Sequence, residues 1–127
     1  MTDSRMRQIF PVLPVRLMSE SLRFYTEKLG FRVAFGDASQ SEPNYIGLRR
    51  DDIEIHLQFQ FEEDFKKGTA GVAFLRIEVD DPEALFEEFK SRGVIPLGRV
   101  VADTSWGTRE FGFTDPNGNG LTFQRDL

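Results

Sequence analysis

One order of elements occurs twice in this chain, and that repeat constrains the fold more than any single motif. In the first half an apolar stretch at 9–15 leads into a helix at 19–29. Gly30 stops the helix, a strand follows at 31–35, and segments 45–49 and 53–59 read as a hairpin. In the second half a strand at 72–79 leads into a helix that starts at Asp81-Pro82-Glu83. Gly93 ends it, a strand is expected at 97–101, and segments 108–114 and 121–124 flank the turn Asp115-Pro116-Asn117-Gly118. Gly30 matches Gly93, Ser21-Leu22 matches Ala84-Leu85, and the Ile-His-Leu-Gln run at 55–58 matches the Leu-Thr-Phe-Gln run at 121–124. A single strand–helix–strand–strand–strand unit has one helix to cover its sheet, so two must pack together. The expectation is an α+β fold: two tandem βαβββ modules, about 9–61 and 70–126, forming a curved mixed sheet with a concave cup and helices on the outer face. At 127 residues this is one domain, 1–127.

Local chemistry supports each element. Pro11 and Pro14 cannot donate to a sheet ladder, which places the first strand at an edge. Ser19 is the expected N-cap of the first helix, with Glu20 in its first turn. Leu22, Tyr25 and Leu29 fall three and four apart and share a face. In the later helix Asp81 caps, Pro82 takes the first helical position, and Leu85, Phe86 and Phe89 form the buried stripe.

Alternation along the strands sorts side chains into core and cup. Ile53, Ile55, Leu57 and Phe59 are expected in the core, leaving Glu54, His56 and Gln58 on the cup side. Ala73, Leu75, Ile77 and Val79 are expected in the core, with Phe74, Arg76 and Glu78 opposite. Phe111, Phe113, Leu121 and Phe123 point inward, so Glu110, Thr122 and Gln124 face the cup. An antiparallel sheet can also simply leave one face wet, and Glu54, Gln58, Glu78 and Gln124 fit that reading. His56 and Phe74 are more informative, because they fall near the middle of the cup. Trp106, the single tryptophan, sits in a loop approaching a strand, where it either anchors the loop or offers a recognition surface.

Charge and composition exclude other classes. Sixteen basic residues face twenty-one acidic ones, for a net charge of −5, with no basic patch to drive nucleic-acid binding. Without cysteine there is no disulfide, thiol nucleophile or thiolate metal site. No apolar run reaches the ~18 residues of a membrane span, and the first residues lack a signal-type apolar stretch. The expectation is a cytoplasmic protein with neither membrane nor nucleic-acid partners.

The Pro-Val-Leu-Pro-Val-Arg run at 11–16, the Ser-Leu-Arg-Phe-Tyr run at 21–25 and the Lys-Leu-Gly-Phe run at 28–31 resemble the opening of bleomycin resistance proteins. The Trp-Gly-Thr-Arg-Glu-Phe-Gly-Phe-Thr-Asp-Pro-Asn-Gly-Asn run at 106–119 resembles their second signature. The wider resemblance is to the vicinal oxygen chelate superfamily, which includes glyoxalase I, extradiol dioxygenases and fosfomycin-modifying transferases. Those enzymes hold a divalent metal through His or Glu at four equivalent strand positions. Here these positions fall on Pro11 (or Phe10), His56, Phe74 and Thr122, of which His56 alone is a good ligand. The resemblance therefore implies neither metal nor other cofactor, and no catalytic residue. It implies a non-catalytic protein that sequesters a cationic or aromatic small molecule, with a bleomycin-type glycopeptide as candidate, in a cleft of a homodimer with exchanged N-terminal strands. Trp106 would be the stacking platform and Phe35 and Tyr45 an opposing wall, with His56, Phe74, Glu110 and Thr122 lining the cup. Two alternatives stay open: a metal-dependent glyoxalase-like lyase, transferase or dioxygenase, and a metal-free enzyme with His56 as general base.

Overall fold

The computed structural model describes residues 3–37 and 39–127. The strands are β1 (Val12–Val15), β2 (Arg32–Phe35), β3 (Tyr45–Arg50), β4 (Ile53–Phe59), β5 (Phe74–Glu78), β6 (Ala102–Asp103), β7 (Thr108–Thr114) and β8 (Gly120–Asp126). They form two four-stranded sheets, ordered β1-β4-β3-β2 and β5-β8-β7-β6. The second order is the first shifted by four strands. In both sheets the edge strand runs parallel to its neighbour, β1 with β4 and β5 with β8, while the other pairings are antiparallel. The architecture is thus α+β with mixed sheets, and the proline-bearing β1 lies at an edge as its sequence requires.

Three helices accompany the sheets: α1 (Met18–Arg23), α2 (Glu62–Lys67) and α3 (Pro82–Ser91). The first departs from expectation at both ends. α1 begins at Met18, with Leu17 at the N-cap position, and Ser19 lies inside the helix. Its free amides are met by a loop residue instead: the Glu42 carboxylate accepts from the Met18 N–H at 2.8 Å and from the Ser19 hydroxyl at 2.7 Å. After Arg23 the helix widens into a π-helical stretch, Phe24–Lys28, where the Leu29 N–H donates to the Phe24 carbonyl. α3 follows its sequence closely, with the Asp81 side chain accepting from the Ala84 N–H and Pro82 at the start. α2 was not expected.

The strand expected at 97–101 is absent. Pro96 and Gly98 turn the chain there, the Arg99 N–H donates to the Pro96 carbonyl, and pairing begins only at β6. The second-half edge strand is also shorter than 72–79.

The core is continuous across both halves. Leu13, Val15, Met18, Tyr25, Leu29, Ile46, Leu48, Ile55 and Leu57 meet Phe89, Phe111, Phe113, Leu121 and Phe123. Four of these rings pack as an aromatic cluster. Phe89 stands edge-on to Phe111, Phe113 and Phe123, and Phe111 stacks on Phe123 at 5.2 Å. The expected core face of β5 packs against the core but is only partly covered: Ala73, Leu75, Ile77 and Val79 are half-buried, and clefts open beside Leu75, Ile77 and Val79.

The Asp115-Pro116-Asn117-Gly118 turn does more than reverse the chain. Asp115 accepts from the backbone N–H of Asn117 and of Asn119, and from the Tyr25 hydroxyl at 2.7 Å. Asn117 accepts from the Arg16 N–H and donates to Ser21, and Asn119 donates to the Pro14 carbonyl. A buried polar knot in the second half therefore holds the strand and helix of the first.

Candidate functional site

Two groups of side chains stand on the sheet faces away from the core. The first is centred on His56. Register places His56 opposite Gly47 on β3 and beside Val12 on β1. The missing side chain at Gly47 leaves space that the Phe35 ring fills, and a Cβ there would lie 2.0 Å from that ring. Phe35 meets His56 edge-on at 5.0 Å and stacks with Tyr45 at 6.2 Å. Phe10, from the segment before β1, stacks flat on the opposite side of the imidazole at 4.9 Å.

Both imidazole nitrogens are engaged. Nε2 lies 2.8 Å from Glu54 Oε2, and Nδ1 lies 2.7 Å from the Tyr45 hydroxyl. The Glu54 carboxyl is held below its ordinary value, first by its hydrogen bond from His56 and then by Arg49. As an ionised carboxylate it only accepts, so Nε2 is the donor in the bond to Glu54. Nδ1 shares the second hydrogen bond with the Tyr45 hydroxyl. The chain Tyr45–His56–Glu54–Arg49 fixes the ring and spends its hydrogen-bonding capacity.

The second group occupies the other sheet. Arg76 Nη1 donates to Glu110 at 2.8 Å and to Gln124 at 2.5 Å, and its guanidinium lies 5.9 Å from the centre of the Trp106 ring. Glu110 also accepts from Thr108, and the two bonds hold its carboxyl below the ordinary value, with Arg76 the larger cause. Trp106 is 65% exposed and Phe74 85% exposed, so both present open ring surface. Phe74 lies over Gly120 as Phe35 lies over Gly47. Thr122 sits opposite Gly112, mirroring His56 opposite Gly47.

The site residues expected from sequence thus separate into two sets: Phe35, Tyr45 and His56 on one sheet, and Phe74, Trp106, Glu110 and Thr122 on the other. Among the described residues no ring contact, hydrogen bond or ion pair joins the two sets. Sequence reasoning missed Phe10 as a stacking partner and Arg76 as the link between Trp106 and Glu110. The strand alternation had placed Arg76 on the right face without naming its partners.

The four superfamily ligand positions do not suit a metal. Register pairs Val12 with His56 and Arg76 with Thr122, so Phe10 and Phe74, each two residues earlier, are equivalent. Two phenylalanines, a threonine and an imidazole already bonded through both nitrogens supply no coordination set. Among the described residues no three His, Cys, Asp or Glu side chains cluster as ligands.

Acid should loosen this architecture. Glu54, Asp103, Glu88 and Glu110 are each held below their ordinary values, chiefly by hydrogen bonds from His56, Arg109, Arg50 and Arg76 respectively. A carboxyl depressed in the folded state contributes stability above its unfolded value of about 4 and loses it as pH falls through the folded one. Urea midpoints are expected to hold between pH 7 and about 5 and to drop steadily below about 4.5. A flat profile down to pH 3 would mean that these pairs contribute nothing.

Residues 7–123 match the Glyoxalase/Bleomycin resistance protein/Dioxygenase superfamily, and the chain belongs to it. Within that superfamily it is similar to the bleomycin resistance proteins of Geobacillus stearothermophilus and Staphylococcus aureus. It is 28% identical to each over 135 aligned positions, covering 96% of this chain and 98% of theirs. The bleomycin-binding protein of Streptomyces verticillus, solved with copper(II)-bleomycin, superposes with a TM-score of 0.71 at 28% identity, over 94% of this chain and 96% of that one. A bleomycin resistance determinant encoded on the transposon Tn5 has the same fold, with a TM-score of 0.77 at 24% identity over 95% and 98% of the two chains.

Proposed function

We propose that this protein is a non-catalytic binder that sequesters a cationic or aromatic small molecule, with a bleomycin-type glycopeptide as the first candidate. It acts as one domain of two βαβββ modules, in the cytoplasm, as a homodimer. The observation that carries this reading is the pair of separated aromatic surfaces. Trp106 and Phe74 offer open ring faces on one sheet, and Phe35 and Tyr45 on the other, with no contact between the sets inside one chain. A second copy brings the Phe35–Tyr45 wall of one chain opposite the Trp106 of the other and closes a cleft. Exchange of N-terminal strands would re-form the β1–β4 pairing between copies. The overall charge of −5 favours the approach of a cationic ligand, while Glu110 and Glu54, each paired with an arginine, fix the polar edge of the cup. His56, its nitrogens occupied, acts as a fixed support for the rings, and Thr122 and Phe74 shape the floor.

The test is a titration with metal-free and copper-bound bleomycin, following Trp106 fluorescence and confirming by calorimetry. Saturable binding at micromolar concentration or tighter is expected, with sedimentation showing a dimer. Trp106→Ala, followed by heat alone, should weaken binding by about tenfold, the worth of one good aromatic stack. Neither heat nor quenching with either form would remove bleomycin as the ligand.

A further inference from the structure

A cleft of about 690 Å³ lies not on the cup faces but in the seam between the two halves. Its floor is apolar. Ile53, Ile77, Val79 and Leu85 stay half-exposed there, with Phe89 and Phe123 buried beneath them. These are side chains that strand and helix periodicity assigned to the core, and they pack against it with one side open to the cleft. The N-terminal segment stops short of the cleft: Gln8, Ile9 and Pro11 line an adjoining groove of about 320 Å³, which shares Asp52, Ile53, Ile77 and Glu78 with it.

The rim is predominantly acidic. Asp51, Asp52, Glu78, Asp80 and Glu88 border the cleft, against a single cation, Arg50. Arg50 is already satisfied: it donates to the Leu29 carbonyl at 2.6 Å and to both oxygens of Glu88 at 2.8 and 3.0 Å. Asp52, Glu78 and Asp80 make no side-chain hydrogen bond or ion pair among the described residues. Three free carboxylates thus surround an unfilled apolar floor. The volume lies within the range of small-ligand pockets, about 300–1,000 Å³.

The geometry points to a second small-molecule site in this seam, specific for an amphipathic organic cation: a flat or branched apolar body carrying an amine. The body covers Ile77, Val79 and Leu85, which removes apolar surface from water. The amine stays at the rim against Asp52, Glu78 and Asp80, where three carboxylates share one positive charge. Of this site's lining only Glu78 stands on the cup side of its strand, and none of the cup's aromatic residues borders it.

The probe is 1-naphthylmethylamine, titrated calorimetrically into the intact protein, with 1-naphthylmethanol and 1-naphthylacetate as neutral and anionic counterparts. The amine is expected to bind saturably, the alcohol at least about tenfold more weakly, and the carboxylate not measurably. Asp52→Asn with Asp80→Asn should weaken the amine about tenfold while leaving the thermal midpoint near that of the parent. Ala84→Phe, an exposed helix position on the cleft wall, should block binding by filling the space. Trp106→Ala should leave the amine's affinity unchanged, which separates this site from the cup. Absence of binding would overturn the proposal, as would binding lost with Trp106→Ala but kept in the rim variant. Binding that appears only after removal of residues 1–7 would also overturn it, because the cleft would then belong to the arginine-bearing arm of a chain.

Discussion

Asp115→Ala is expected to destabilise the fold by about 3–5 kcal/mol, the largest loss from any polar substitution in this chain. Its carboxylate is 5% exposed and accepts four hydrogen bonds: from the Tyr25 hydroxyl, the Asn117 and Asn119 amides and the Asn119 side chain. Truncation leaves four donors facing no acceptor, and each stranded buried donor costs about 1–3 kcal/mol before relaxation. The costs do not simply add, because the turn can open to water. A domain of this kind has only about 5–15 kcal/mol to lose, so the thermal midpoint should fall by roughly 10–20 °C. Tyr25→Phe removes one of the four bonds and should cost about 1–2 kcal/mol. Burial, reinforced by the charge of Asp115, pushes the Tyr25 hydroxyl well above its ordinary value, so it remains a donor at every working pH. Because the two residues share a bond, their double variant should lose less than the sum of the singles. Urea unfolding of the three variants checks this. A loss under about 1 kcal/mol for Asp115→Ala would show that the knot tying the halves together is dispensable.

That knot also shows what the sequence can and cannot reveal. The Asp-Pro-Asn-Gly turn was legible as a turn, because proline fixes one dihedral and Gly118 accepts a positive φ of 89°. Its partners were not, since Tyr25 lies 90 residues away and only packing selects it. The same split recurs elsewhere. The alternation in β4 correctly put His56 on the face away from the core. Local pattern says nothing, however, of Tyr45 and Phe10, which come from other strands and segments and occupy the ring. α2 carries acids in its first turn, lysines in its last and Gly68 at its end, all good helix signals. Phe65 is its one apolar residue, and without a stripe the hydrophobic period is silent. At 97–101 the apolar residues suggested a strand, but Pro96 and Gly98 favoured a turn and won. Ser19 lost its capping role to Glu42 because a carboxylate held by the following loop reaches the free amide of Met18. The repeated order of elements was the most legible feature of all, since it needs only periodicity and glycine stops.

Gly47→Ala should weaken cup-ligand binding by roughly thirtyfold, about 2 kcal/mol, while costing the fold far less than Asp115→Ala. A Cβ at position 47 would meet three atoms of the Phe35 ring, at 2.0, 2.4 and 2.6 Å. Backbone cannot yield there, because Gly47 pairs with His56 in the middle of the β3–β4 ladder. The ring can, since Phe35 is on the edge strand and 44% exposed, so it must swing outward. Stability then loses only the ring's contacts, about 1 kcal/mol. The proposed binding site loses more. Phe35 leaves Tyr45 and His56 together, so the aromatic wall opposite Trp106 is broken and the displaced ring intrudes on the cleft. A double-mutant cycle isolates this route. Phe35→Ala should itself weaken bleomycin binding, and adding Gly47→Ala to it should change little further, because the ring that the new methyl displaces is already gone. Additive effects would mean that Gly47 acts on the ligand by another path and that Phe35 is no part of the wall. Equal affinity in all four proteins would move the ligand off this sheet altogether.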